Sequence, residues 1–172
     1  MKRGFGVGFM YRYQSNNFDN QSLYPEFTAK YPTFKWDISS IPWKVNAFLV
    51  GPCTSTPIGN SSKGTYFETK FMLGVVRSTS FGMTVTGTQG SNSATVTSPA
   101  TAATAFGYCV GLGIRHEIAR EVYFGVHADF FQSTVNYGNV TLTGTGGSTT
   151  TIAASQKIST VNLFLSLIIR ID

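Results

Sequence analysis

Residues 106–131 read FGYCVGLGIRHEIAREVYFGVHADFF. Taken alternately, the first half puts Phe106, Tyr108, Val110, Leu112 and Ile114 on one side, and Gly107, Cys109, Gly111, Gly113 and Arg115 on the other. Beyond a short polar link at 117–121, Val122, Phe124, Val126, Ala128 and Phe130 alternate with Tyr123, Gly125, His127 and Asp129. Successive side chains of a β-strand point to opposite faces, so the stretch reads as a hairpin lying between two unlike environments. One face is continuously apolar. The other holds glycine and charge.

The same pattern extends outward in both directions. Strand segments are expected at 4–14, 43–53, 65–78, 104–116, 122–134 and 157–171. Each reaches the ~9–11 residues that a tilted transmembrane strand requires. The apolar face is assigned Phe5, Val7, Phe9, Tyr11 and Tyr13; Trp43, Val45, Ala47 and Leu49; Phe67, Thr69, Phe71, Leu73 and Val75; and Val161 to Ile169 by twos. Only Thr69 among these positions is not apolar, and none is charged. The links 54–64 and 117–121 are short, whereas 15–42, 79–103 and 135–156 are long and rich in Ser, Thr, Asn and Gly. Within the long ones, 83–97 and 139–152 carry Thr and Val around glycine turns and read as hairpins that continue the strands. Phe34, Trp36 and Ile38 alternate with Lys35, Asp37 and Ser39, which suggests a further strand stopped at Pro42.

An apolar face alone suits a soluble β-sandwich or a lipocalin-like barrel equally well, so the second face decides. It collects Gly4, Gly6, Gly8, Gly74, Gly107, Gly111, Gly113 and Gly125, together with Arg12, Lys44, Asn46, Glu68, Lys70, Arg115, His127, Asp129, Asn162 and Arg170. Glycine within a strand costs entropy and packs nothing. In water such positions would be wasted; inside a narrow barrel they make room for long side chains. Turning Arg or Lys to lipid costs about 2–4 kcal/mol each at the bilayer midplane. Reversing the faces would therefore cost on the order of 10 kcal/mol, comparable to a domain's whole stability. The expected fold is one all-β domain over 1–172, an antiparallel up-and-down transmembrane β-barrel with a polar lumen. Tyr11, Tyr13 and Trp43 at one edge and Phe67 at the other are placed as interfacial aromatics.

Composition agrees with that reading. Charged residues make up 12% of the chain, about half of what a soluble domain carries, while 14% are aromatic, which argues against disorder. No run approaches the roughly 18 apolar residues of a transmembrane helix. The net charge of +5 fits a mildly basic surface or attraction to an anionic membrane such as lipopolysaccharide phosphates. No basic run interleaves with aromatics, so nucleic acid is not expected as a partner. Cys53 and Cys109 fall on different strands and, by the alternation, on opposite faces, so neither a disulfide nor a metal site is expected. Met1-Lys2-Arg3 is basic but leads into a glycine-rich strand and not a signal peptide. A leader is expected upstream.

Two stretches resemble a known family. TYFETKFMLGVVRST (65–79), preceded by VGPCTSTP (50–57), and the hairpin at 106–131 are similar to the small outer-membrane β-barrel domain common in Bacteroidota, the PorT-like group related in architecture to OmpX and OmpA barrels. The resemblance implies eight strands, export to the outer membrane and both termini on the periplasmic side. Six strands are evident, which implies one missing N-terminal hairpin. The chain also ends Ile169-Arg170-Ile171-Asp172, without the terminal aromatic that barrel assembly commonly recognises.

Chemistry is sparse. His127 and Asp129 stand two apart on the lumen face, and His116 and Glu117 flank the short turn. A His–carboxylate pair can orient a general base, but enclosed polar groups also satisfy one another, and no suitably placed serine is identifiable. Gly4-Gly6-Gly8 lacks the spacing of a phosphate loop. Asn60-Ser61-Ser62 and Asn139-Val140-Thr141 match glycosylation sequons that carry no meaning in a bacterial outer membrane. The sequence therefore predicts a non-enzymatic barrel without cofactors. Its expected partners are outer-membrane lipid and lipopolysaccharide, with docking onto a larger outer-membrane complex, or capture of a partner strand, as its work. A narrow solute pore is the alternative, and a membrane-embedded hydrolase a more remote one.

Overall fold

The structure, a computed structural model, describes residues 4–59 and 64–169. In chain order the elements are β1 (Gly4–Asn16), α1 (Tyr24–Lys30), β2 (Lys35–Ser40), β3 (Trp43–Ile58), β4 (Thr65–Thr79), β5 (Met83–Gln89), β6 (Asn92–Ser98), β7 (Ala102–Ala119), β8 (Val122–Gly144) and β9 (Thr149–Ile169). All pairings are antiparallel. A curved wall runs β1-β3-β4-β7-β8-β9, and a smaller head, β6-β5-β2, joins the far end of β8 through Val96↔Gly144 and Thr97↔Thr143. The six expected segments are the six wall strands, and the expected hairpin at 83–97 is β5–β6. The hairpin at 139–152 is the continuation of β8 into β9. Among the described residues no helix is long and apolar enough to cross a membrane, which says nothing of strands.

The sheet is not closed. Among the described residues β1 pairs only with β3, and β9 only with β8. Across that gap Arg12 Nη2 donates to Thr160 Oγ1 at 2.7 Å, so the two outermost wall strands come within side-chain reach on the concave side.

Hydrogen-bond register arranges the convex face in rows. Phe67, Ile114, Val126 and Leu165 form one near the short-turn end, and Tyr11, Phe48, Val75 and Phe106 another towards the long hairpins. These side chains lie bare: Phe9 and Phe106 are each 84% exposed and Leu163 is 78%. The concave face holds the core, and it has two levels. Towards the long hairpins, Val45, Val76, Phe131 and Val135 are wholly buried among Trp43, Ala47, Leu49 and Ile158. Towards the short turns the same face carries the charged groups described below.

That apolar level corrects the expected phase of β3. Trp43, Val45, Ala47 and Leu49 point inward, while Lys44, Asn46, Phe48 and Val50 point outward. The cause is register: Leu49 pairs with Gly74, Ala47 with Val76 and Val45 with Ser78, and paired residues share a face. Cys53 therefore faces inward as Cys109 does, and both thiols are free. Trp43 is no interfacial aromatic; its indole N–H donates to Ser78 Oγ at 3.0 Å and to Tyr137 Oη at 3.3 Å. Alternation on β8 breaks at a bulge between Asn136 and Gly138, where Gly138 takes φ +70° and donates its N–H to Asn136 Oδ1. After it Val140 returns inward.

The 15–42 connection holds a helix that the alternation did not foreshadow. A 3-10 turn at Asn20–Leu23, capped by Asp19 Oδ1, leads into α1 with Pro25 in its first turn. Phe27 and Phe34 pack against Trp36, with centroids 5.0 and 5.6 Å away. Tyr24 Oη accepts from Ile38 N–H and Asn20 Nδ2 donates to Ile38 O, so this segment covers the outer edge of β2.

Phe131→Ala is expected to destabilise the protein by about 3–5 kcal/mol, whereas Lys44→Ala, outward and exposed, should stay within about 0.5 kcal/mol. Urea unfolding checks both, and a large Lys44 effect would return that residue to the interior.

Candidate functional site

Beneath the apolar level, facing the short-turn end, five strands bring a polar cluster together. Lys70 on β4 reaches past β7 to Asp129 on β8, with Nζ 2.7 Å from Oδ2 and the carboxylate side chain 6% exposed. Arg115 on β7 binds Glu68 through Nη1 at 3.1 Å and donates from Nη2 to Ser55 Oγ at 3.1 Å. Its guanidinium lies against the rings of Tyr66 and Tyr123, 4.9 Å from each centroid. His127 stacks on Phe164 at 5.1 Å, and Nε2 stands 2.8 Å from Ser166 Oγ.

Arg12 enters from β1, over the Phe131 ring at 4.8 Å. With the Asn162 amide turned so that its oxygen faces the guanidinium, that oxygen accepts from Nη1 at 2.8 Å. Among the described residues, of the three cations Arg12, Lys70 and Arg115, Arg12 is the one whose hydrogen-bond and ring partners are all neutral.

Glycine makes the cluster possible by its small volume. A Cβ at Gly111 would fall on Asp129 and Lys70, and one at Gly113 on the His127 ring. A cavity of 260 Å³ remains beside the cluster, lined among others by Glu68, Lys70, His127, Phe164 and Ser166. Such a size holds a few waters or a very small solute.

Of the residues expected to line the lumen, Arg12, Glu68, Lys70, Arg115, His127, Asp129 and Asn162 share the concave face. Lys44 and Asn46 do not: both face outward, and Asn46 Oδ1 accepts from Tyr11 Oη at 2.9 Å. Arg170 and the 60–62 sequon lie outside the described residues. Tyr11 and Tyr13 are exposed towards the long-hairpin end and Phe67 towards the short-turn end. His116 is outward, with Nδ1 2.8 Å from Thr65 Oγ1.

Ser166 was missed. Its partner His127 is distant in sequence, and only the β8–β9 register, with Gly125 opposite Ser166, brings the two together. Ser166, His127 and Glu68 stand in the order of a nucleophile, base and acid, yet His127 Nδ1 is 3.9 Å from Glu68 Oε2, beyond hydrogen-bond reach. Glu68 is engaged by Arg115 and Lys70 by Asp129, so neither Arg115 nor Lys70 is left to receive an oxyanion. The arrangement is suited to joining non-adjacent strands. Among the described residues no group of three His, Cys, Asp or Glu side chains gathers to hold a metal ion. Compared with models of known families and with curated proteins, the chain matches none.

Lys70→Met should leave the Asp129 carboxylate buried and unpaired, at a cost of about 3–5 kcal/mol. Replacing both partners, Lys70→Met with Asp129→Leu, is expected to recover most of the loss. Denaturant midpoints compare the three proteins, and a double variant as weak as the single one would deny that the pair is a closed unit.

Proposed function

We propose that this chain forms the wall of a small outer-membrane β-barrel, kin to the PorT-like barrels it resembles, with a structural and docking role and no catalysis. The observation that carries the reading is an inverted partition: charged side chains are enclosed on the concave face, and bare Phe, Leu, Val and Ile cover the convex one. In water that arrangement would forfeit the hydrophobic effect over a whole sheet face. In lipid it is the arrangement that costs least. From Phe67 to Val75 the apolar rows of β4 run about 26 Å along the strand, or about 20 Å across a bilayer at the usual tilt. With the side chains at either end, this approaches the ~25 Å apolar band of such barrels. Lys44 lies beyond the last apolar row, where facing outward costs about 0–1 kcal/mol.

Lipid tolerates no open sheet edge. Five successive antiparallel pairings separate β1 from β9, so these strands run in opposite directions and an even number of strands must close the gap. One further hairpin gives eight, the smallest number usual for single-chain barrels. It would also bring side chains towards Arg12. The short turns would face the periplasm and the long hairpins and head the exterior.

With β2 covered by the α1 segment, one backbone edge left for a partner strand among the described residues is the β9 extension at 149–157, which pairs with β8 on one side. The buried apolar level around Phe131 and Val45 stands across the lumen, which favours this docking role over the narrow-pore alternative.

The inserted protein should migrate differently on a denaturing gel before and after boiling. Leu165→Arg, placing a cation among the apolar rows, is expected to cost about 2–4 kcal/mol and to lower the inserted fraction. Full insertion of that variant, or water-soluble wild-type protein with no heat-sensitive band, would reject the membrane reading.

A further inference from the structure

The correction on β3 leaves two cations outside, side by side. Lys44 and Arg77 both point outward and are exposed, and neither has an acidic partner among the described residues. Register makes them diagonal neighbours: Asn46 pairs with Arg77, and Lys44 with Thr79. Diagonal positions on one face lie about 7–8 Å apart, within reach of long side chains, and a tetrahedral anion fits between them. Asn46 sits between the cations and Tyr13, its direct partner on β1, and Tyr11 Oη holds its side-chain oxygen. That leaves the Asn46 amide hydrogens free to donate. Immediately below is the row Tyr11, Phe48, Val75 and Phe106. The group thus stacks two cations and an amide directly on an apolar, aromatic shelf, with no carboxylate on these rows.

We propose that Lys44, Arg77 and Asn46 form a site for the phosphate of an anionic membrane lipid whose acyl chains lie along Phe48 and Val75. The proposal rests on the outer-membrane reading and deepens it by naming the lipid chemistry and the strands that receive it. A neutral headgroup would leave both cations uncompensated, and a zwitterionic one brings a single phosphate charge together with an ammonium of its own. A phosphomonoester satisfies Arg77 by its fork geometry and Lys44 as a point charge.

The test is lipid selectivity at the protein surface. The protein is reconstituted in phosphatidylcholine vesicles containing spin-labelled phosphatidic acid or spin-labelled phosphatidylcholine, and the motionally restricted fraction of each is measured. Wild-type protein is expected to favour phosphatidic acid by about fivefold or more, given the attraction of a basic side chain near an anionic surface, and the preference should fall with added salt. Lys44→Gln with Arg77→Gln should bring the ratio close to one, while Lys157→Gln on β9 should leave it unchanged. Equal selectivity in the double variant, or no selectivity in wild type, would overturn the site. Loss of the preference on adding inorganic phosphate, beyond the fall caused by sodium chloride of equal ionic strength, would also overturn it, by assigning the cations to a free anion. A complete absence of restricted lipid would instead reject the barrel reading.

Discussion

A carboxylate as enclosed as Asp129 can be kept only if its charge is matched on the spot, and Lys70 matches it from two strands away at 2.7 Å. Much of the molecule follows from that pairing. For Lys70 to cross β7, the intervening residue must have no side chain, and Gly111 has none. For the pair to stay enclosed, the strands must curve so that β4 faces β8. Curvature in turn puts every intervening outward position on a bare convex surface, where side chains must be apolar for the fold to reside in lipid. Arg115 on β7 crosses β4 in the same way to reach Ser55 on β3, while its pair with Glu68 and the His127–Ser166 contact join neighbouring strands on the same face, with Gly113 giving His127 its room.

Breaking such a pair is far more costly than never having made it, because the partner remains buried. The cluster therefore serves geometry better than raw stability: it specifies which strands face one another. The wholly apolar level above it, centred on Phe131 and Val45, supplies the burial that an ion pair does not. The two levels divide the work within one concave face.

Much of this was legible in the sequence, because alternation is a local property and β1, β4, β7, β8 and β9 display it without ambiguity. Where both faces of a strand are apolar, alternation loses its sign. WKVNAFLV on β3 offers Trp43, Val45, Ala47 and Leu49 on one side but Phe48 and Val50 on the other, and only the pairing of Leu49 with Gly74 decides between them. That pairing is non-local and does not show in the segment itself. The same holds for Ser166, brought beside His127 by the β8–β9 register, and for α1, whose single face packs on aromatics of a neighbouring strand. Lys44 moved from the expected lumen to the outward face for the same reason, and Val45, Ala47 and Leu49 from the expected outward face to the core.

The central claim is that lipid contacts one face of every wall strand and protein the other. Nitroxide labels placed singly at residues 161–167 of β9 in the reconstituted protein test it most directly, through their collision rates with oxygen and with a water-soluble nickel chelate. Positions 161, 163, 165 and 167 should be accessible to oxygen and shielded from the chelate, with 162, 164 and 166 shielded from both, giving a period of two. Chelate accessibility at the odd positions, or the absence of any alternation, would contradict the account.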